Sequence, residues 1–224
     1  MIEENIVGPK ALLAQYKEYE YILNIDKKAF VKNLFNKKIT EENLEPKADI
    51  DEIKEALVMF DTAEMEIMNI SNDVVDYPFF RVMAGELKLK LAEAANSLKM
   101  KILKGCEDWC RNTVQGIETT YEDMRKRIEK SPTNELELVE LTEFIDKSKN
   151  ETKQAQEDLL HLVERHHVVM DEFSFMYQEE DIVHALSMKC WPSQIQETIN
   201  DGKEKIGLVT DDMVMKLEAD KDEF

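Results

Sequence analysis

Cysteine, proline and glycine are all scarce in this chain, and each scarcity excludes something. Three cysteines among 224 residues, an odd number, do not frame a disulfide-stapled secreted scaffold and fit a reducing compartment. Six glycines and five prolines leave few sites for tight turns, so the elements between them must be long. No apolar run approaches the roughly 18 residues a membrane-spanning helix needs. The opening Met1-Ile2-Glu3-Glu4-Asn5 has neither the basic start nor the apolar stretch of a signal peptide. Basic residues are in deficit too, with 29 Lys and Arg against 48 Asp and Glu and a formal net charge of −19. Such a surface repels phosphate backbones and anionic membranes, because nucleic-acid affinity comes mainly from cations displacing condensed counterions. The expectation is an intracellular chain that engages neither nucleic acid nor membrane.

What is present is helix-forming. Apolar residues make up 43% of the chain, enough for a substantial core, and Glu, Lys, Leu, Ala and Met dominate, all good helix formers. The composition reads as all-α. Charge is uneven: Glu41 to Glu66 holds ten acids and two lysines, whereas Glu86 to Lys104 holds five lysines and two acids. Such asymmetry can orient a protein partner, although solvated helix faces are the commoner meaning.

Prolines at 9, 46, 78, 132 and 192 are expected to begin or end helices, since an interior proline loses a backbone hydrogen bond. The pattern predicts a helix from Pro9 through Tyr21, a short one over Lys27–Asn36, and a polar connection over Lys38–Lys47. Asp49, with Glu52 three residues on, predicts a capped helix from Ile50 to about Ile70. Ser71-Asn72-Asp73 ends it, a connector follows to Tyr77, and no alternating strand pattern of useful length is found. From Phe79 a very long helix is predicted to about Lys130, with Leu87, Leu91, Ala94, Leu98, Ile102, Trp109, Ile117, Tyr121, Met124 and Ile128 on its apolar face. Gly105 and Gly116 inside it mark bends or close helix contacts. Ser131-Pro132-Thr133-Asn134 reads as the turn of an antiparallel hairpin, with Thr133 or Asn134 as the next cap.

Leu138, Leu141, Ile145, Ser148, Thr152, Ala155, Leu159, Leu162, His166, Val169, Phe173 and Met176 then alternate three and four residues apart. That is a heptad seam, which predicts one helix spanning roughly 58 Å at 1.5 Å per residue and an equally long partner, Phe79–Lys130. The small seam residues Ser148, Thr152 and Ala155 leave room for Trp109 or Tyr121. A short helix over Glu179–Lys189 follows, then a last helix capped by Ser193 and weakened at Gly202 and Gly207. Lys216–Phe224 keeps a helical pattern with no cap, which predicts a segment of something longer. The expected architecture is therefore elongated antiparallel helical bundles with long coiled-coil-like helices. Short N-terminal helices occupy residues 1–77, the long hairpin 78–177, and C-terminal helices 178–224.

A search for chemistry finds fragments only. Gly202-Lys203 is followed by Glu204 without the rest of a phosphate-binding loop. Glu164 and His167 make a single Glu-x-x-His pair, where a di-iron bundle needs two. Cys106 and Cys110 share a helix face, but with Cys190 they have no zinc-finger spacing; small core hydrophobes are the simpler meaning. The histidines, His161, His166, His167 and His184, stand near no glycine-flanked nucleophile. The twelve methionines serve either an adaptable groove or an irregular core. No catalytic, cofactor or metal residue is assigned. A scaffold bundle of spectrin or tether type and a metal-dependent bundle enzyme are the alternatives that residues alone leave open.

One resemblance adds to this reading. Tyr121-Glu-Asp-Met-Arg-Lys-Arg-Ile-Glu-Lys-Ser-Pro-Thr-Asn-Glu-Leu-Glu-Leu-Val-Glu-Leu-Thr-Glu-Phe-Ile145 resembles the stem of axonemal dynein heavy chains, where a long helix, a Pro-Thr-like turn and a Glu-Leu-rich helix follow one another. Pro78-Phe-Phe-Arg-Val82 with Glu86-Leu-Lys-Leu-Lys-Leu-Ala92, and Trp191-Pro192 with its Ile-rich helix, resemble the flanking parts. The resemblance implies a non-catalytic rod of bundles just before the motor's linker, holding the motor to a doublet microtubule. It implies intermediate or light chains and neighbouring stems as partners, an axonemal location, and ATP bound only by the motor domain elsewhere in the heavy chain.

Overall fold

The computed structural model describes residues 2–35, 49–70, 73–79 and 81–222, and among these described residues the fold is all-α apart from one two-stranded hairpin. It forms two compact units, Met1–Glu107 and Asp108–Phe224. Lys38–Lys47, expected as a polar connection, lies outside the described residues, as do Asn36, Ser71, Asn72, Phe80 and the last two positions.

In the first unit, helix α1 spans Ile2–Lys17 and runs through Pro9, which was expected to begin it. Proline's ring crowds the Cβ of the residue before it, and that residue is Gly8. The helix stops at Lys17, before the expected Tyr21, and a single-turn α2 (Glu20–Asn24) and α3 (Lys27–Phe35) follow. α4 (Ile50–Asn69) opens as its sequence predicts: Asp49 is the N-cap, its carboxylate accepting the Asp51 N–H at 3.0 Å. Ile53, Leu57, Phe60, Ala63 and Ile67 recur at three and four residues and are all buried, a helical stripe of the kind that supplies core. Phe30 of α3 meets Phe60 edge-on at 5.6 Å.

The expected connector into a helix from Phe79 is instead a hairpin. β1 (Val74–Asp76) and β2 (Arg81–Met83) pair antiparallel, with Val75 opposite Val82 and Asp76 opposite Arg81. β-branched valines favour the extended backbone, Pro78 sits in the connection, and Arg81 grips Asp76 through two hydrogen bonds of 2.6 and 3.2 Å. The long helix α5 therefore starts at Gly85 and runs to Glu129. Its first part buries Leu91, Ala95, Leu98 and Ile102. Lys99 reaches Asp61 at 2.8 Å and Glu64 at 2.7 Å on α4, and Lys88 reaches the Ile70 carbonyl at 3.0 Å. The acidic and basic stretches of the sequence thus meet inside the chain. Burial works against the charge on Lys99, but the two carboxylates outweigh it and raise its pKa. At Gly105 a Cβ would fall 2.5 Å from the Phe35 ring, so this glycine marks close contact and α5 continues through it unbroken.

The second unit takes the rest of α5, the turn at Ser131–Asn134, α6 (Glu135–Lys147), a π-helical turn (Ser148–Thr152), α7 (Lys153–Glu172), α8 (Glu179–Met188) and α9 (Trp191–Asp222). Asn134 caps α6 by accepting the Glu137 N–H at 2.9 Å, and Glu137 accepts the Thr133 N–H at 2.8 Å. This reciprocal arrangement fixes the chain reversal. α9 begins at Trp191 instead of being capped by Ser193; Pro192 falls in the first turn, where its missing N–H costs nothing.

The heptad seam does not run unbroken. Leu141, Ile145 and Ser148 are buried as expected, and so beyond the π turn are His166 and Val169, but Val163 and Met170, each one position off the seam, are buried too, while Ala155 is exposed and Leu162 half-buried. From Ser148 to Val163 is one residue more than two heptads, and a π turn supplies one extra residue. The helix also ends early. Ser174 adopts φ 53°, its N–H donates to the Asp171 carbonyl at 2.9 Å, and Phe175 N–H donates to Met170 at 3.1 Å. This is a Schellman stop, and it leaves Met176 88% exposed.

Candidate functional site

The best-built part of the second unit is a three-helix core. Ile117, Tyr121, Met124 and Ile128 of α5, Leu141 and Ile145 of α6, and Ile195 and Ile199 of α9 form one buried cluster, with Leu159, Leu160, Trp191 and Ile206 against it. Polar contacts set the directions. α6 and α7 run opposite to α9, with Lys203 bound to Asp146 at 2.9 Å and Lys153 to Gln196 at 3.0 Å. α5 runs with α9: Tyr121 stacks on Trp191 at 5.7 Å, and Lys205 donates to the Glu129 carbonyl at 2.6 Å. Gly202 is what lets α9 in, because a Cβ there would lie 2.5 Å from Ile128 and 2.9 Å from Ile145. The expected hairpin of two long helices is present near its turn, and α9 completes it as a third member. Tyr121 is fully buried, which raises its hydroxyl to about 12.

Each residue singled out for chemistry has a structural address. Glu164 binds Lys189 at 2.8 Å and lies 3.4 Å from His161 Nδ1, and the Lys189 hydrogen bond lowers its pKa. Its sequence neighbour in the Glu-x-x-His pair, His167, meets the Tyr177 ring edge-on at 5.4 Å, and burial lowers its pKa. Among the described residues, no group of three or more His, Cys, Asp and Glu is placed to hold a metal ion. Cys106 and Cys110 are buried and Cys190 is exposed; burial pushes the Cys106 thiol up to about 12, so it has no thiolate character at neutral pH. His184 lies 3.0 Å from Glu118 on α5.

His166 is the residue whose surroundings sequence reasoning missed. It is 1% exposed and stacks on Trp109 at 4.2 Å with 21° between planes. Its Nδ1 lies 2.8 Å from the Leu162 carbonyl and so carries the proton, since a carbonyl only accepts. Nε2 is buried without a hydrogen-bond partner, and burial lowers the pKa. A neutral imidazole sealed against an indole can pack but meets no solvent-borne molecule. Trp109, offered by the sequence for the space beside Ser148–Ala155, is engaged here. No periodicity signals a ring stack, although the heptad spacing does place His166 on the seam.

No family model matches the chain. It is similar to dynein axonemal heavy chain 3 of Homo sapiens, 29% identical over 187 residues that cover 81% of this chain and 4% of the human protein. The chain therefore spans a small fraction of that relative's length. No helix among the described residues is long and apolar enough to cross a membrane. Residue order around the Ser131–Asn134 turn, the all-helical architecture and this likeness agree: the chain is similar to a helical segment of an axonemal dynein heavy chain.

Proposed function

We propose that the chain is a non-catalytic segment of a dynein heavy-chain stem, a helical-bundle element that transmits force and contacts associated chains in a microtubule motor. The observation that carries this reading is the coincidence of a likeness spread over 81% of the chain with helical packing built around a capped, glycine-notched three-helix core. Bundled helices tied by interdigitated side chains resist bending, as close-packed interiors transmit strain. On this reading the partners are intermediate or light chains and neighbouring stems, the location is the axoneme, and ATP belongs to the motor domain alone.

An antibody raised against this chain tests it. In ciliated cells of the source organism it should detect a polypeptide many times larger than 26.2 kDa in the salt-extracted dynein fraction of axonemes. Detection only of a small species outside that fraction would overturn the assignment. Stoichiometric iron or zinc in the purified chain would separately overturn its non-catalytic character.

A further inference from the structure

Between α7 and α8 runs an open groove of about 530 Å³. Its floor is aliphatic, formed by Leu160 and Val163 of α7 and Ala185 of α8. Its edges leave Val168 58%, Ile182 38% and Leu186 54% exposed. At one end the Tyr177 hydroxyl lies 2.6 Å from Asp171 and 2.8 Å from the His167 carbonyl, two acceptors for its single proton. The lining along α7 extends from Leu160 to Asp171, roughly 16 Å at 1.5 Å per residue, or three helical turns. A contiguous apolar trench of this kind on a soluble surface marks an interaction site.

Its form and charge specify the occupant. The groove's volume falls within the range of small-molecule sites, but three turns of lining along α7 and two helical walls match the length of a docked helix. Both walls are helices whose backbone groups are already paired, so an extended peptide would find no ladder for its own N–H and C=O groups. An entering helix brings those bonds with it. The charged side chains in the lining are Glu164, Asp171 and Lys189, and Lys189 is already bound to Glu164. The first turn of α8 adds the exposed Glu179, three residues before the lining Ile182 and so on the same helix face. The trench is thus bordered by an excess of carboxylates.

We propose that the α7–α8 groove docks an amphipathic helix of a partner chain, with aliphatic side chains at i, i+3 or i+4, and i+7, flanked by Lys or Arg. This goes beyond the stem reading and stands apart from it, since the antibody result above can fail while the groove still binds.

Fluorescence anisotropy on the full chain tests it, using a labelled three-turn peptide of leucine, alanine and lysine with the leucines on one helical face. Saturable binding that weakens with salt is expected. Val168→Glu and Ile182→Asp should each lower affinity roughly tenfold or more, the scale of an interface anchor, although both add negative charge that by itself would attract the peptide. Leu136→Glu, at a position 69% exposed on α6 outside the groove, adds the same charge and should leave affinity unchanged. All three positions are solvent-facing, and unchanged melting curves would confirm that the variants fold. Absence of saturable binding would overturn the proposal. So would equal binding by a peptide of the same composition with its leucines scattered, equal binding by a glutamate-flanked version, or groove variants that bind as well as the parent.

Discussion

Gly202 and Gly207 lie in the same helix, five residues apart, and the structure assigns opposite signs to the same substitution at the two. At Gly202 a Cβ would stand 2.5 Å from the Ile128 γ2 methyl and 2.9 Å from the Ile145 δ1 methyl, with both isoleucines 1% exposed. The Ile145 methyl can swing aside. The Ile128 methyl is fixed on a branched Cβ, so α9 must retreat from α5. Alanine gains about 1 kcal/mol in helix propensity over glycine, while overpacking a closed core costs about 1–3 kcal/mol. Gly202→Ala should therefore be neutral at best and destabilise by up to about 2 kcal/mol. At Gly207 nothing lies within 4 Å of the added atom, so Gly207→Ala keeps only the gain, about 0.5–1 kcal/mol. The chain's two tryptophans, Trp109 and Trp191, both fall in the second unit, so urea unfolding followed by tryptophan fluorescence reads that unit alone. In a double-mutant cycle, Ile128→Ala should cost less when Gly202 is already alanine. Equal stabilisation by both glycine substitutions would refute the close approach of α9 to α5.

Two further predictions follow from local features. Ser174 pays for a left-handed backbone at φ 53°; Ser174→Gly should stabilise the second unit by up to about 1 kcal/mol, a rise of roughly 2–4 °C in melting temperature for a chain of this size, and no rise would mean that residue does not hold that conformation. His166 is kept neutral by burial, its pKa lowered from 6.5. Above that value neither folded nor unfolded chain binds the proton; below it the unfolded chain does first, so stability falls with decreasing pH by up to about 1.4 kcal/mol per unit. Stability measured from pH 7.5 to 5.5 should show such a slope, and His166→Phe, which keeps a ring against Trp109, should reduce it, with His167 supplying the remainder.

What the sequence disclosed is what local chemistry determines. Asp49 and Asn134 announce their helices because a capping carboxylate or amide acts within three residues. The Leu91–Ile102 and Ile117–Ile128 stripes announce their faces because burial follows the helical period. The hairpin at Val74–Met83 escaped because three-residue strands are too short to show alternation. The stop at Ser174 escaped because glycine, and not serine, signals a left-handed cap. Pro9 misled because the Gly8 before it has no Cβ for the proline ring to crowd, although the hydrogen bond that Pro9 cannot donate is still lost. The position of α8 was invisible for another reason: it rests on Arg111 bound to Asp181 at 2.9 and 2.5 Å and on His184 beside Glu118, pairs separated by 70 and 66 residues. The trench against α7 follows from that placement and has no signature of its own.

The π turn at Ser148–Thr152 also has a consequence for how this helix is compared with others. A straight heptad template laid on Leu141 and Ile145 falls out of phase with Val163 and Met170 by one position. A template laid on the latter misplaces the former. A one-residue gap within the turn brings Val163 and Met170 into phase with Leu141 and Ile145, while His166 and Val169 keep the ungapped phase. Beyond the turn the buried face therefore draws on both phases, and an alignment to a regular coiled coil registers only one of them.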